Sequence, residues 1–258
     1  MNDTITMKKI TVKDIKNKLK KGCPTIGSWM QLPDTSVAEI MGNSGYDWIA
    51  VDLEHGGFSR LILPDIFRSL LIGGTVPFAR VAQTNPNDIK QALDAGAQGL
   101  ILPMIESGKQ LEDAISQALY PPIGTRGVGF CRANMFGKDF KEYLEKSKDI
   151  LFVAQIEHIR AVNNLDSILS VNGLDAIMVG PYDLSGSMDL TGRFENSLFL
   201  KTMEIIADKA VEYKIPMGVH IVQPERNILE SKVLEGHQFI AYGIDSVFLY
   251  NSSEKPKF

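Results

Sequence analysis

Short apolar runs alternate along the chain with longer stretches in which apolar residues recur every three or four positions. The short runs are mostly continuous and not alternating, which is typical of parallel strands that are buried on both faces. The predicted strands cover residues 25–30, 46–53, 76–81, 99–105, 150–157, 174–180, 215–222 and 239–244. Between them, stripes such as Leu111, Ile115 and Leu119 indicate helices with one apolar face.

Strand-then-helix units in series, with glycines where helices stop, favour a (β/α)8 TIM barrel of the α/β class. A doubly wound open sheet is the competing fold. No Gly-x-Gly-x-x-Gly follows any predicted strand, and no phosphate-binding Gly-x-x-x-x-Gly-Lys-Ser/Thr occurs. We therefore expect one barrel domain over residues 1–258, with an N-terminal helix at about 11–21.

The composition is that of an ordinary globular protein, with 44% hydrophobic and 22% charged residues among 258. The formal net charge is -4, and like charges do not form blocks. This charge pattern argues against a nucleic-acid partner and against a membrane surface.

Cysteine usage and the N-terminal sequence predict the compartment. The two cysteines, Cys23 and Cys131, lie far apart and lack Cys-x-x-Cys spacing, which argues against a disulfide framework. The first 22 residues are polar, and no run approaches 18 apolar residues. We expect a cytoplasmic protein that does not span a membrane.

Polar side chains stand where several apolar strands end. In a TIM barrel, such positions form the active site, because it is built at the carboxyl ends of the strands. The run Trp48–Val51 stops at two acids and a histidine, which raises the question of why a strand should gather them. The candidate residues are Asp52, Glu54, His55, Arg80, Gln155, Glu157, Asp183 and His220.

Each candidate has a second interpretation. Glu157 and Asp183 suit a divalent cation such as Mg2+ or Mn2+, but as residue types both are also consistent with capping the helices that follow. Arg80 suits a substrate carboxylate or oxyanion, or a structural ion pair with Asp52 or Glu54. His55 suits a general base, or a packed side chain bonded to a loop carbonyl.

Two further features are less specific. Asp94 lies near a predicted helix end, where a surface aspartate is the default interpretation. The long connection over residues 121–140 is expected to act as a functional lid. Arg126 and Arg132 within it are expected to anchor the loop, with contact to an acidic substrate as the alternative.

The succession "GSW…DLEHG…ARV…IKQALDAGAQGLILPMIES…YPPIGTRGVG…RANMFG…QIE…GPYDLS" resembles the metal-dependent class II pyruvate aldolases of the HpcH/HpaI type. Members of this family include 2-dehydro-3-deoxyglucarate aldolase and 4-hydroxy-2-oxoheptanedioate aldolase. The match runs from about Gly27 to Asp245, with motifs in family order and spacing. The resemblance implies a barrel of the phosphoenolpyruvate/pyruvate-binding type.

The resemblance also implies roles for individual side chains. His55 matches the family's base, and Asp94 matches the aspartate that orients this histidine. Arg80 matches the arginine that binds the keto or enolate oxygen.

The same resemblance implies a site for a metal and a keto acid. Glu157 and Asp183 match the metal ligands, with Mg2+ or Mn2+ as the expected ion and Co2+ as a further option. Gln155 matches a glutamine beside the keto acid, and the backbone N–H groups at residues 182 and 183 would hold the carboxylate. Tyr182 departs from the family's small residue, so it would narrow the pocket or supply a hydroxyl group to the substrate.

The implied reaction is reversible cleavage of a 4-hydroxy-2-oxo acid to pyruvate and an aldehyde through a metal-stabilised enolate. Two alternatives stay open: a related lyase or decarboxylase acting on a 2-oxo diacid or an acyl-CoA thioester, and a barrel that binds a keto acid without turnover. The resemblance also implies a homo-oligomer, either a trimer or a hexamer.

Overall fold

The computed structural model describes residues 9–253 and residue 255. In this part of the chain, parallel strands pair in chain order and close into a barrel, with the last strand hydrogen-bonded to the first. The predicted fold is therefore confirmed. The strands are β1 (Thr25–Met30), β2 (Trp48–Asp52), β3 (Val76–Arg80), β4 (Gly99–Leu102), β5 (Leu151–Ile156), β6 (Ala176–Val179), β7 (Met217–Ile221) and β8 (Phe239–Ile244).

Helices join the strands and cover the outside of the barrel. They are α1 (Val12–Lys20), α2 (Thr35–Asn43), α3 (Leu63–Gly73), α4 (Pro86–Ala95), α5 (Gly108–Ala118), α6 (Phe140–Lys146), α7 (Ile159–Asn163), α8 (Leu165–Leu169), α9 (Pro181–Ser187), α10 (Ser197–Tyr213), α11 (Arg226–Leu234) and α12 (Asp245–Ser252).

Local sequence explains where the helices begin and end. Asn85 and Ser107 precede α4 and α5, and their side chains accept N–H groups of the first turn. Gly96 ends α4 with a φ of 116°, a left-handed conformation that glycine adopts without steric cost.

The fourth strand is shorter than predicted. The apolar pattern continued to residue 105, but β4 ends at Leu102. Pro103 has no N–H to give to a neighbouring strand, and Met104 has a left-handed φ of 53°. A residue-type pattern does not reveal this reversal of the backbone.

Stacked aromatic rings fill the barrel interior toward its amino-terminal end. Trp48 lies 4.1 Å from Phe239 and 5.6 Å from Phe78, measured between ring centroids. Gly27 leaves the space that the Trp48 ring occupies, since a Cβ atom at Gly27 would lie 2.1 Å from that ring. Apolar residues of α1 pack against the same cluster and close the amino-terminal end of the barrel.

The long connection over residues 121–140 does not cover the mouth of its own barrel. It runs from α5 to β5, so it lies at the amino-terminal end of the barrel, opposite to the carboxyl ends of the strands. The connection expected to act as a lid therefore does not close over the site of its own chain. The expectation of loop-anchoring arginines agrees with the structure, because Arg132 donates to the carbonyl oxygen of Ala95 at 3.1 Å.

No helix in residues 9–253 has both the length and the apolar character required to cross a membrane.

The packing of Gly27 against Trp48 yields a prediction. We expect Gly27→Ala to destabilise the protein by about 1–3 kcal/mol or more, because the added methyl group overlaps the indole ring. Urea unfolding followed by circular dichroism measures the loss. Gly129→Ala is the matched control, because no atom lies within 4 Å of its added Cβ. Equal midpoints for the two variants would contradict this account of the packing.

Candidate active site

The carboxyl ends of the strands bring most of the predicted site residues together. Asp52 and Arg80 are register partners at the ends of β2 and β3. Gln155 and Glu157 stand at the end of β5, and Asp183 lies in the first turn of α9 after β6. These elements form one mouth at the carboxyl end of the barrel.

Asp52 explains why an acid ends the second strand. Its carboxylate is fully buried and accepts two hydrogen bonds from Arg80, from Nε at 2.9 Å and from Nη2 at 2.6 Å. It also accepts the N–H groups of Glu54 and His55, at 3.1 and 3.2 Å, and the side-chain amide of Gln31 at 3.0 Å. Asp52 thus anchors both the arginine and the turn that carries the next acid and the histidine.

Burial and hydrogen bonding act in opposite directions on the pKa of Asp52. Burial raises this pKa, but the bonds and charge of Arg80, together with the other donors, outweigh burial and hold it below its usual value. The carboxylate is therefore charged at neutral pH.

Arg80 also contacts the second acid. Its Nη1 lies 3.1 Å from Oε2 of Glu54, and its guanidinium carbon lies 5.2 Å from the centroid of the Trp29 ring. Burial raises the pKa of Glu54; Arg80 and His55 oppose this effect, and the charges of Asp52 and Asp183 add to it. The structural ion pair that the sequence left open is present, with both acids, at the barrel mouth.

Glu157 is a buried carboxylate with one protein donor on each oxygen. Its side chain accepts the N–H of Met104 at Oε2, 3.0 Å away, and the amide of Gln155 at Oε1, 2.9 Å away. Burial raises its pKa to about 7, with the N–H of Met104 opposing and the charges of Glu54 and Asp183 adding to the rise. This carboxylate stands in surroundings that favour a nearby positive charge.

Asp183 does not cap the helix that follows. Gly180 occupies the N-cap position of α9, and Asp183 lies in the first helical turn with its side chain exposed. Its charge adds to the rise in pKa of both Glu54 and Glu157, so Asp183 lies near these two acids. The helix-capping interpretation is wrong for Asp183.

The carboxylates of Glu157 and Asp183 at the barrel mouth are of the kind that binds a hard divalent cation. Carboxylate oxygens are the ligands that Mg2+ and Mn2+ prefer, and such ions usually keep several waters. Within the described part of the chain, no group of three or more His, Cys, Asp or Glu side chains is placed to hold a metal ion. Glu157 and Asp183 would therefore need substrate oxygens and waters to complete the coordination.

His55 and Asp94 lie apart within one chain. His55 is exposed at the mouth, after β2. Asp94 lies in the last turn of α4, which runs back toward the amino-terminal end of the barrel. There it accepts a 2.6 Å hydrogen bond from the buried guanidinium of Arg126. The structure of one chain does not bring Asp94 to His55.

Tyr182 packs beside the mouth. Its ring contacts Phe194 edge-on, with 5.0 Å between centroids, and its side chain is 64% exposed. Tyr182 is thus oriented in part by an aromatic contact from the segment before α10.

Two contributions to the site, those of Gln31 and Met104, escaped the sequence analysis. The side-chain amide of Gln31 donates to Asp52. The candidate His220 of β7 stacks on Trp29 at 4.8 Å between ring centroids, and its Nε2 lies 3.2 Å from the carbonyl oxygen of Gly243. Met104 supplies a backbone N–H, for which no residue-type signal exists.

A closed parallel barrel that collects acids, an arginine and a histidine at its carboxyl end has the architecture of a TIM-barrel enzyme. Comparison with known families gives the particular class. The model of the HpcH/HpaI aldolase/citrate lyase family matches residues 25–252, so the chain belongs to this family. The predicted family is confirmed.

Individual relatives agree with this assignment. The chain is 35% identical to 4-hydroxy-2-oxovalerate aldolase of Novosphingobium aromaticivorans over 91% of its own length and 89% of the relative's. It is 32% identical to 4-hydroxy-2-oxo-heptane-1,7-dioate aldolase of Salmonella arizonae, over 93% and 91% of the two chains. A crystal structure of a family protein from Burkholderia cenocepacia superposes with a TM-score of 0.86 at 27% identity, covering 93% of this chain and 95% of that one. The relatives' names agree with the predicted reaction class.

The buried ion pair yields a prediction. We expect Asp52→Asn to lower the free energy of unfolding by about 3 kcal/mol, because it leaves a buried arginine with one acid partner fewer. Urea denaturation measures the change. Asp113→Asn, which breaks the exposed pair with Lys109, is the control and should hardly shift the midpoint. Equal effects would show that the buried pair does not carry stability.

His220 yields a prediction of pH dependence. Burial lowers the pKa of His220 from 6.5 to about 4 and outweighs the hydrogen bond to Gly243, which raises it. The charge of Arg80 lowers this pKa further, and the charge of Asp52 raises it. Between pH 4 and 6.5, His220 therefore binds a proton in the unfolded chain but not in the folded protein. Stability from this group is complete above pH 6.5 and is lost as the pH falls toward 4.

We expect His220→Gln to flatten the pH dependence of unfolding between pH 4 and 6.5 relative to the unsubstituted protein. Urea unfolding at several pH values measures the two slopes. Parallel curves would mean that His220 does not titrate as its surroundings indicate.

Proposed function

We propose that the protein is a divalent-metal-dependent aldolase that cleaves a 4-hydroxy-2-oxo acid reversibly to pyruvate and an aldehyde. The observation that supports this reaction most is the buried carboxylate of Glu157 at the end of β5, which lies near the charges of Asp183 and Glu54, the latter in contact with Arg80. Aldolases of this family generally depend on a divalent metal, and the relatives are named for cleavage of such acids.

Glu157 and Asp183 would hold the cation, with Mg2+ or Mn2+ preferred and Co2+ as a further option. Such an ion, when bound, supplies Lewis-acid stabilisation of the enolate that forms when the C3–C4 bond breaks. Gln155 is buried beside Glu157 and would orient the keto acid. The N–H groups of residues 182 and 183, near the start of α9, would bind its carboxylate.

Arg80 would stabilise the oxygen on which negative charge develops. Asp52 holds the guanidinium through two nitrogens, so its orientation is set before substrate binds. Its remaining N–H groups would donate to the keto oxygen.

His55 would take the proton of the C4 hydroxyl during cleavage and return it during condensation. Its exposed position at the mouth leaves the ring accessible to substrate or to a bridging water. Tyr182, beside the same mouth, would narrow the aldehyde pocket or supply a hydroxyl group.

We propose further that the protein forms a homo-oligomer, a trimer or a hexamer. Exposed apolar side chains on the long connection, such as Phe130 and Phe136, support a contact between copies. Within one chain Asp94 lies at the wrong end of the barrel, so its predicted pairing with His55 requires Asp94 of a second copy. A cytoplasmic location stays a prediction from cysteine usage and the N-terminal sequence.

The family description includes citrate lyase as well as aldolase, which supports one alternative. In it, the same enolate chemistry acts on a 2-oxo diacid or an acyl-CoA thioester. Release of carbon dioxide, or activity with thioesters only, would favour it over the aldolase.

Exchange of the methyl protons of pyruvate in heavy water tests the proposal without a choice of aldehyde. We expect exchange, followed by proton NMR, with Mg2+ present and its loss with a chelator. Glu157→Gln should reduce the rate by about 100-fold or more, because metal stabilisation of the enolate is worth several kcal/mol.

The control for this variant is Glu142→Gln, which alters an exposed ion pair with Lys146 and should keep the unsubstituted rate. Exchange that survives the chelator and Glu157→Gln would contradict the proposed function.

A further inference from the structure

The turn after β4 has an unusual backbone. Met104 has a φ of 53°, in the left-handed region that residues with a Cβ atom rarely occupy. Such conformations persist only where surrounding contacts impose them, and they often lie at functional sites. The contacts around this turn therefore indicate what the conformation does.

The left-handed backbone directs the N–H of Met104 at Oε2 of Glu157, 3.0 Å away. The other oxygen of this carboxylate accepts from Gln155 at 2.9 Å. Glu157 is 4% exposed, so these two donors set the rotation of the carboxylate. The lone pairs that they leave free are those that a cation would meet.

Gln110 of α5 braces the turn from both sides. Its Nε2 donates to the carbonyl oxygen of Met104 at 3.0 Å, and its Oε1 accepts the N–H of Glu106 at 2.9 Å. One side-chain amide thus replaces the backbone partners that a left-handed turn leaves without bonds.

A second brace links this turn to the strand that carries Glu157. Glu106 accepts two hydrogen bonds from Arg160, from Nε at 2.5 Å and from Nη2 at 2.7 Å. Arg160 lies in the first turn of α7, directly after β5. Asn164 donates to the carbonyl oxygen of Glu106 at 2.9 Å. The hydrogen bonds of Glu106 therefore join the turn after β4 to the segment that follows Glu157, next to the bond from the N–H of Met104 to Glu157.

We propose that Gln110 and the Glu106–Arg160 pair are positioning residues for the cation site. They hold Met104 in its left-handed conformation, so that its N–H presents the carboxylate of Glu157 in the orientation that binds a divalent ion. The Arg160 side chain is 61% exposed, and an ion pair of this kind contributes little to stability. A role in positioning the turn explains the two hydrogen bonds from Arg160 to Glu106 better than a role in stability does. This inference rests on the proposed function.

Binding of Mn2+ alone, measured from the free-ion signal in electron paramagnetic resonance, tests the proposal. We expect Gln110→Ala and Arg160→Ala each to weaken Mn2+ binding by about tenfold or more, as is typical when groups that orient a metal ligand are removed. Melting temperatures should stay close to that of the unsubstituted protein.

Matched controls are Gln91→Ala, on the exposed surface of α4, and Arg226→Ala, which breaks the exposed pair with Glu230. Both should bind Mn2+ normally. Should Gln110→Ala fail to fold, Arg160→Ala alone decides. Unchanged Mn2+ affinity in a folded Arg160→Ala or Gln110→Ala would overturn the positioning role. Absence of Mn2+ binding in the unsubstituted protein would instead count against the proposed function itself.

Discussion

The buried pair of Asp52 and Arg80 is the interaction on which the mouth of the barrel depends. Two hydrogen bonds join the pair across the ends of β2 and β3, and the same carboxylate holds the turn that carries Glu54 and His55. A buried ion pair is stable only when nearly all of its donors and acceptors form hydrogen bonds, and the carboxylate of Asp52 meets this condition. The strand gathers acids and a histidine in one place because one acid anchors the arginine and the backbone of the others.

This anchoring leaves the mouth with an excess of negative charge. Arg80 is already engaged by Asp52 and Glu54, so it only partly offsets the charges that surround Glu157. Burial is the main cause of the raised pKa of Glu157, and the charges of Glu54 and Asp183 add to it; a divalent cation held by Glu157 and Asp183 would favour the charged form of these acids. The electrostatics of the site and the chemistry of its family therefore lead to the same kind of ligand.

Much of the fold was accessible from residue types, because burial leaves a periodic pattern. Continuous apolar runs located the eight strands, and the boundary of β4 was missed because Met104 turns the backbone where the apolar pattern continues. For the site, Asp52, Arg80, Glu157 and Asp183 were found as polar ends of apolar strands. Gln31 and Met104 were not found: Gln31 carries no charge that marks it as a partner of Asp52, and Met104 acts through its backbone N–H.

The sequence by itself determined the barrel, its family and the set of side chains at the carboxyl ends of the strands, because period and strand order place those ends together. Only the tertiary structure decided which charges pair. It placed Asp94 with Arg126, and the long connection, at the amino-terminal end of the barrel. It also directed the N–H of Met104 to the carboxylate of Glu157. Pairing and N–H direction depend on distances between residues remote in the chain, and a linear pattern does not contain them.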